Sequence, residues 1–143
     1  MNYVNFKGKK LTDNEMYFVE KIFIPAMGQN NLEYLHPQFE LKEESGKFRL
    51  VDFVFIKGNK RFAIEIDSYP YHADTQISRT KFNDERRRQN FLTSKSYEIL
   101  RYTCDQIYKD SAYCMQDVKE RLFEQKSPVS KKSILMVSLA ALI

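Results

Sequence analysis

The sequence predicts an α/β domain: a mixed four-stranded sheet flanked by helices, with elements in the order α-β-β-β-α-β-α. Three observations carry that prediction. Residues 61–67 alternate strictly, with Phe62, Ile64 and Ile66 on one side and Arg61, Ala63, Glu65 and Asp67 on the other, which is the period of a half-buried strand. Gly58-Asn59 separates that run from an aromatic and β-branched run at 48–56, the pattern of a two-residue hairpin turn. A charged helical stretch at 78–95 then leads to a further strand-like run at 97–102. The last two strands should therefore be parallel and joined by a right-handed crossover.

The remaining elements follow in order. Thr12-Asp13-Asn14-Glu15 has the form of a capping box, and Met16, Val19, Ile22 and Phe23 follow at helical spacing until Pro25 and Gly28 end the helix. A loop rich in Asn and Gln runs to about Pro37. A short strand at 38–42 and a turn at Glu44-Ser45-Gly46-Lys47 precede the hairpin. Residues 68–76 form a polar and aromatic loop containing His72. In the helix at 78–95, Phe82, Glu85, Gln89 and Leu92 share the stripe expected to face the sheet, and Lys81, Asp84, Arg88, Phe91 and Lys95 share another. Asp105 can cap a last helix running to about Gln125, with Ile107, Cys114, Met115, Val118 and Leu122 on one side. This places one domain at 1–126 and a linker with an apolar tail at 127–143.

Composition narrows the class. With 143 residues, 43% hydrophobic and 14% aromatic, the chain can bury a core and is not of disordered type. A net charge of +4 permits a polyanionic partner without requiring one. Cys104 and Cys114 have no zinc-ligand spacing and read as reduced thiols of a cytoplasmic protein. Residues 1–10 lack the apolar core of a signal peptide. The run 133–143 is apolar but shorter than the ~20 residues a spanning helix needs. Three readings of it stay open: the start of a membrane helix that would tether the domain, a docking helix, or the lead into a further domain.

The hairpin carries the chemistry. With Gly58-Asn59 at its tip, Lys57 meets Lys60, Phe55 meets Phe62, Phe53 meets Ile64 and Val51 meets Ile66, all on the core side for the apolar pairs. Asp52 then meets Glu65 on the other face, with Asp67 one step along. Directly opposed side chains have Cβ atoms roughly 5 Å apart. Two carboxylates so placed repel unless one is protonated or a cation sits between them. Such an oxygen-rich set suits Mg²⁺ or Mn²⁺; a solvated face with scattered acids is the plainer alternative. A slip of one residue in the hairpin would move Asp52 to the opposite face.

Taken together, Asp52, Glu65-Ile66-Asp67, His72, Arg79, Asp84, Arg88-Gln89-Asn90-Phe91-Leu92 and Tyr97-Glu98-Ile99-Leu100-Arg101-Tyr102 resemble one branch of the PD-(D/E)xK, restriction-endonuclease-like superfamily, that of the very-short-patch-repair endonucleases and their small relatives. The resemblance covers roughly residues 12–110. It implies a restriction-endonuclease-like sheet and metal-dependent hydrolysis of a nucleic-acid phosphodiester, DNA being the expected substrate. Asp52, Glu65 and the Ile66 carbonyl would bind Mg²⁺ or Mn²⁺, and Glu15 matches a Glu that relatives place near the metal, although the capping box accounts for it equally. The lysine of the family name is replaced by Asp67, and Ser68 replaces the usual glycine. His72 matches a histidine of the mismatch-repair relatives and is the candidate general acid or base.

Arg79, Lys81, Arg86, Arg87 and Arg88, with Gln89 beside them, give the helix after the site a basic surface that fits a phosphate backbone. Lys47, Arg49, Tyr69 and Tyr71 could add backbone and stacking contacts. The expected activity is that of a Mg²⁺-dependent endodeoxyribonuclease. The alternatives are a catalytically inactive nucleic-acid-binding module and a regulatory domain of the same fold.

Overall fold

The first helix starts on its cap. In the computed structural model of the chain, which describes residues 5–68 and 78–123, the Thr12 hydroxyl accepts from the Glu15 N–H at 3.2 Å. The Glu15 carboxylate accepts from the Thr12 N–H at 2.8 Å, closing the reciprocal box. From there α1 (Asp13–Tyr17) runs through a π-helical stretch (Phe18–Phe23) into α2 (Ile24–Met27). Pro25 does not end the helix as expected. It lacks an N–H and crowds the carbonyl four residues back. The wider turns before it, in which the Ile24 N–H reaches the Val19 carbonyl, absorb that conflict. Gly28, at φ +82°, makes the stop instead.

A 3₁₀ helix (Gln29–Tyr34) replaces most of the expected loop, and β1 (Leu35–Lys42) begins earlier than the sequence suggests. Pro37 is tolerated there because β1 is an edge strand. β1 pairs antiparallel with β2 (Phe48–Lys57), β2 antiparallel with β3 (Lys60–Asp67), and β3 parallel with β4 (Glu98–Thr103), giving a mixed sheet in the order β1-β2-β3-β4. The hairpin register is the expected one: Lys57 faces Lys60, Phe55 faces Phe62 and Phe53 faces Ile64, around Gly58 at φ +60°. The crossover from β3 to β4 carries α3 (Arg79–Ser94). The single long helix expected after β4 is two, α4 (Cys104–Lys109) and α5 (Ser111–Leu122). Thr103 rather than Asp105 caps α4, and at Asp110 the backbone leaves the helical region (φ −134°, ψ 45°). Cys104 and Cys114 therefore lie on different helices, both as free thiols. The linker and apolar tail expected beyond residue 126 lie outside the described residues. Among those residues no helix is long and apolar enough to cross a membrane.

Helices cover both faces of the sheet. The larger core joins Phe18, Val19, Ile22 and Phe23 to Phe53, Phe55, Phe62, Ile64 and Tyr102, and to Ile107, Val118 and Leu122. The smaller gathers Val51, Val54, Ala63, Leu92 and Tyr97 under α3. Val51 is thus not on the core side with Phe53, as simple alternation requires. The same change of side separates Leu35 from Phe39 on β1. Both strands turn over at one level: no ladder pair is formed between Pro37–Phe53 and Phe39–Val51, and Gln38 there has φ +46°. A left-handed residue rotates the pleat, so inward and outward positions exchange beyond it.

α3 also presents a different side from the one its apolar residues suggest. Leu92 is buried, but Phe82 stays 48% exposed. Asp84 and Arg88 turn inward instead. Arg49, only 4% exposed, donates to both Asp84 oxygens at 2.9 and 3.0 Å and to Glu43 at 3.1 Å, while Lys47 reaches Asp84 at 2.9 Å. Hydrogen bonds and charge from Arg49 and Lys47 hold the Asp84 carboxyl well below the usual carboxylate range. Arg49 and Lys47 thus tie α3 to β2 and are not a free phosphate-binding pair.

The packing makes one element decisive. Phe53 is fully buried, with its ring 5.4 Å from that of Phe18. Truncating it by Phe53→Ala should cost ~3–5 kcal/mol, measured by equilibrium urea unfolding.

Candidate functional site

The site forms where two strands diverge. The β2–β3 ladder runs from Lys57–Lys60 to Phe53–Ile64 and stops, while β3 stays paired to β4 as far as Asp67–Thr103. Asp52 is the first residue beyond the fork. The expected directly opposed Asp52–Glu65 ladder pair is therefore not made. Instead the Asp52 carboxylate takes over the role of the missing strand, its Oδ2 accepting from the Ile66 N–H at 2.8 Å. Burial pushes the Asp52 carboxyl up to about 6, opposed by the Ile66 N–H and reinforced by the negative charges of Glu65, Glu15 and Asp67. The fork thus brings four carboxylates into one electrostatic neighbourhood around Asp52.

Glu15 enters from the opposite layer. It is 5% exposed, and its Oε1 accepts from the Thr12 N–H and, at 3.1 Å, from the Gln38 amide. Gln38 also donates to the Lys10 carbonyl at 2.8 Å. Capping box and proximity to the site are therefore both realised. The left-handed turn at Gln38 that reverses the strands sits beside the same carboxylate.

Glu65 is 6% exposed and is held by arginines. Arg88 Nη2 donates to Glu65 Oε1 and, at 2.7 Å, to the Leu50 carbonyl. Arg88 Nη1 reaches Glu85 Oε1 at 3.3 Å. Arg101, the register partner of Glu65 on β4, lies 4.0 Å from Glu65 Oε2 and 2.7 Å from Glu85 Oε1. Arg101 is a site residue that the motifs do not single out; the parallel register of β3 and β4 is what brings it beside Glu65.

The other sequence candidates fall in three places. Arg79, Lys81, Arg86 and Arg87 are exposed on the outer side of α3. Arg86 packs over the Phe82 ring at 5.0 Å and donates to Gln89 at 3.0 Å, so Gln89 is engaged along the helix surface and does not reach the carboxylates. Arg88 departs from the expected basic surface by turning into the site. His72, with Tyr69 and Tyr71, lies outside the described residues.

No family model matches this chain, and neither does any curated protein or solved structure.

The donor chemistry suits a hard divalent cation. Mg²⁺ is commonly held by one or two carboxylates, with water and substrate phosphate completing its shell. Asp52 and Glu65 would supply such a pair, and a cation there would offset the burial cost and the neighbouring negative charge that raise the Asp52 pKa. Among the described residues no group of three or more His, Cys, Asp or Glu side chains is placed to hold an ion.

Two stability outcomes follow. The Asp52 carboxyl binds its proton more tightly in the folded chain (about 6) than at its ordinary value of 3.8. Folding stability therefore falls as pH rises between those values, and the penalty is fully present above them. Asp52→Asn, which can still accept from the Ile66 N–H, should raise stability by on the order of 2 kcal/mol at pH 8 and by little below pH ~4 in thermal melts. Glu65→Gln strands the buried Arg88 charge and should cost ~2–4 kcal/mol in urea unfolding at pH 7.

Proposed function

We propose that this chain is a metal-dependent endonuclease of the PD-(D/E)xK, restriction-endonuclease-like type, related to the very-short-patch-repair branch and acting on DNA with Mg²⁺ or Mn²⁺. The observation that carries the reading is the half-buried Asp52 at the strand fork, with Glu65, Glu15 and Asp67 around it and its pKa raised to about 6. Converging carboxylates with a strongly shifted group are costly to a fold and mark chemistry more often than stability. The element order, with the carboxylates on two adjacent strands and a basic helix after the second, agrees with the resemblance drawn from the motifs.

In this reading Asp52 and Glu65 hold the ion, with the Ile66 carbonyl as a further ligand. When bound, the ion polarises the phosphoryl group and eases ionisation of a water. The Ile66 N–H fixes one Asp52 oxygen and leaves the other for the ion. Arg79, Lys81, Arg86 and Arg87 take the phosphate backbone, which positions the duplex without reading its sequence. Asp67 cannot supply the positive charge of the lysine it replaces, so charge at the phosphate falls to the arginines. His72 is the candidate general acid or base. Asp67 in place of lysine, and Glu65 already paired with Arg88, favour the second reading: a nucleic-acid-binding module of the same fold that does not cut.

Plasmid and single-stranded DNA incubated with Mg²⁺ or Mn²⁺ separate the two. Wild type should cut, and Asp52→Asn, which is expected to fold more stably, should not; equal cutting by both would remove Asp52 from the chemistry. Salt-sensitive binding without cutting would select the second reading. Because the ion needs the Asp52 carboxylate and the group protonates near 6, cutting at subsaturating metal should fall about tenfold per pH unit below that value.

A further inference from the structure

Glu65 and Arg88 are both desolvated, with side chains 8% and 11% exposed. Neither charge can stand alone in that setting. If Glu65 binds a divalent ion, as the nuclease reading holds, the ion and the Arg88 guanidinium compete for one carboxylate. We propose that Arg88 is an exchangeable counter-ion: it neutralises Glu65 when no metal is bound, surrenders Glu65 to the metal, and remains at the site to receive a phosphate of the substrate.

The geometry makes the exchange inexpensive. Arg88 Nη2 is shared between Glu65 Oε1 and the Leu50 carbonyl at 2.7 Å, and Nη1 bonds Glu85 at 3.3 Å. Releasing Glu65 therefore leaves the guanidinium two anchors, one on β2 and one on its own helix. Arg101 stands 4.0 Å from the second Glu65 oxygen and 2.7 Å from Glu85, so a second cation borders the same carboxylate. A divalent ion that takes Glu65 leaves one Arg88 N–H without its carboxylate acceptor. A phosphodiester oxygen is an acceptor that can replace it, so metal should bind more tightly once a phosphate is present. Arg88 would then supply, from α3, the cation that Asp67 cannot supply from β3.

The proposal rests on the metal-site reading, and the test separates the two. Mn²⁺ binding to the full chain, followed by electron paramagnetic resonance without DNA, should tighten roughly tenfold or more in Arg88→Met, because a competing charge is gone. Arg88→Lys should stay near wild type. Unchanged or weaker binding in Arg88→Met overturns the exchange and makes Arg88 a structural ion pair. In case that variant fails to fold, Mg²⁺ titration of ¹⁵N-labelled wild type gives the same answer. The Ile66 amide and the Arg88 side-chain Nε–H should shift together with one saturation point. Movement of the Ile66 amide alone leaves a metal site but overturns the exchange. If neither resonance moves, the inference and the metal site fall together.

Discussion

One hydrogen bond organises the part of this molecule where its buried carboxylates gather. At the point where β2 leaves β3, the Ile66 N–H would be left without a strand partner, and the Asp52 carboxylate takes it. A backbone donor in a partly buried setting has to be satisfied, and satisfying it with a side chain in place of a main-chain oxygen lets the strands diverge without loss. The divergence opens the fork, and the fork gathers the acids. The same bond opposes the rise in the Asp52 pKa that burial and neighbouring charge impose. The site is therefore built into the sheet's own hydrogen bonding and is not an addition to its surface.

Much of this was legible in the sequence because it rests on local rules. The Gly58-Asn59 turn fixes the register through two central residues, and the pairs Phe53–Ile64 and Phe55–Phe62 follow from it. The Thr12–Glu15 box and the sheet-bound β-α-β segment follow in the same way. What was not legible depends on non-local partners. Nothing in the residue identity of Gln38 announces a φ of +46°, so the reversal that carries Val51 to the other core could not be read from alternation. Pro25 argues for a helix end by a rule that π turns evade. The facing of α3 differs from expectation for a related reason. Phe82 and Leu92 suggest one inward stripe, but the inward side is set by buried partners on other elements, Arg49 for Asp84 and Glu65 for Arg88, and a helix sequence does not contain its partners.

The carboxylate pair shows both limits at once. The register was right, and it placed Asp52 and Glu65 on neighbouring strands at the same level. The further step, a direct ladder pair, assumed that the strands stay together. They separate just before that level, which replaces contact across a regular ladder by a fork with an arginine entering from above. Arg88 looked like one of three consecutive cations on a solvated helix, and its separate role appears only once Glu65 is known to lie beneath it.

The attachment of α3 has a consequence of its own. Only Leu92 of this helix is buried, whereas its charged residues tie it to three strands: Asp84 to Arg49, Arg88 to Glu65, and Glu85 to Arg101. Of the ties that hold α3, the outer ones, Glu85–Arg101 and Lys47–Asp84, are open to screening by salt, whereas Arg88–Glu65 is desolvated and screened much less. The grip of α3 is therefore loosened by salt first at its outer edge, where the exposed cations also lie.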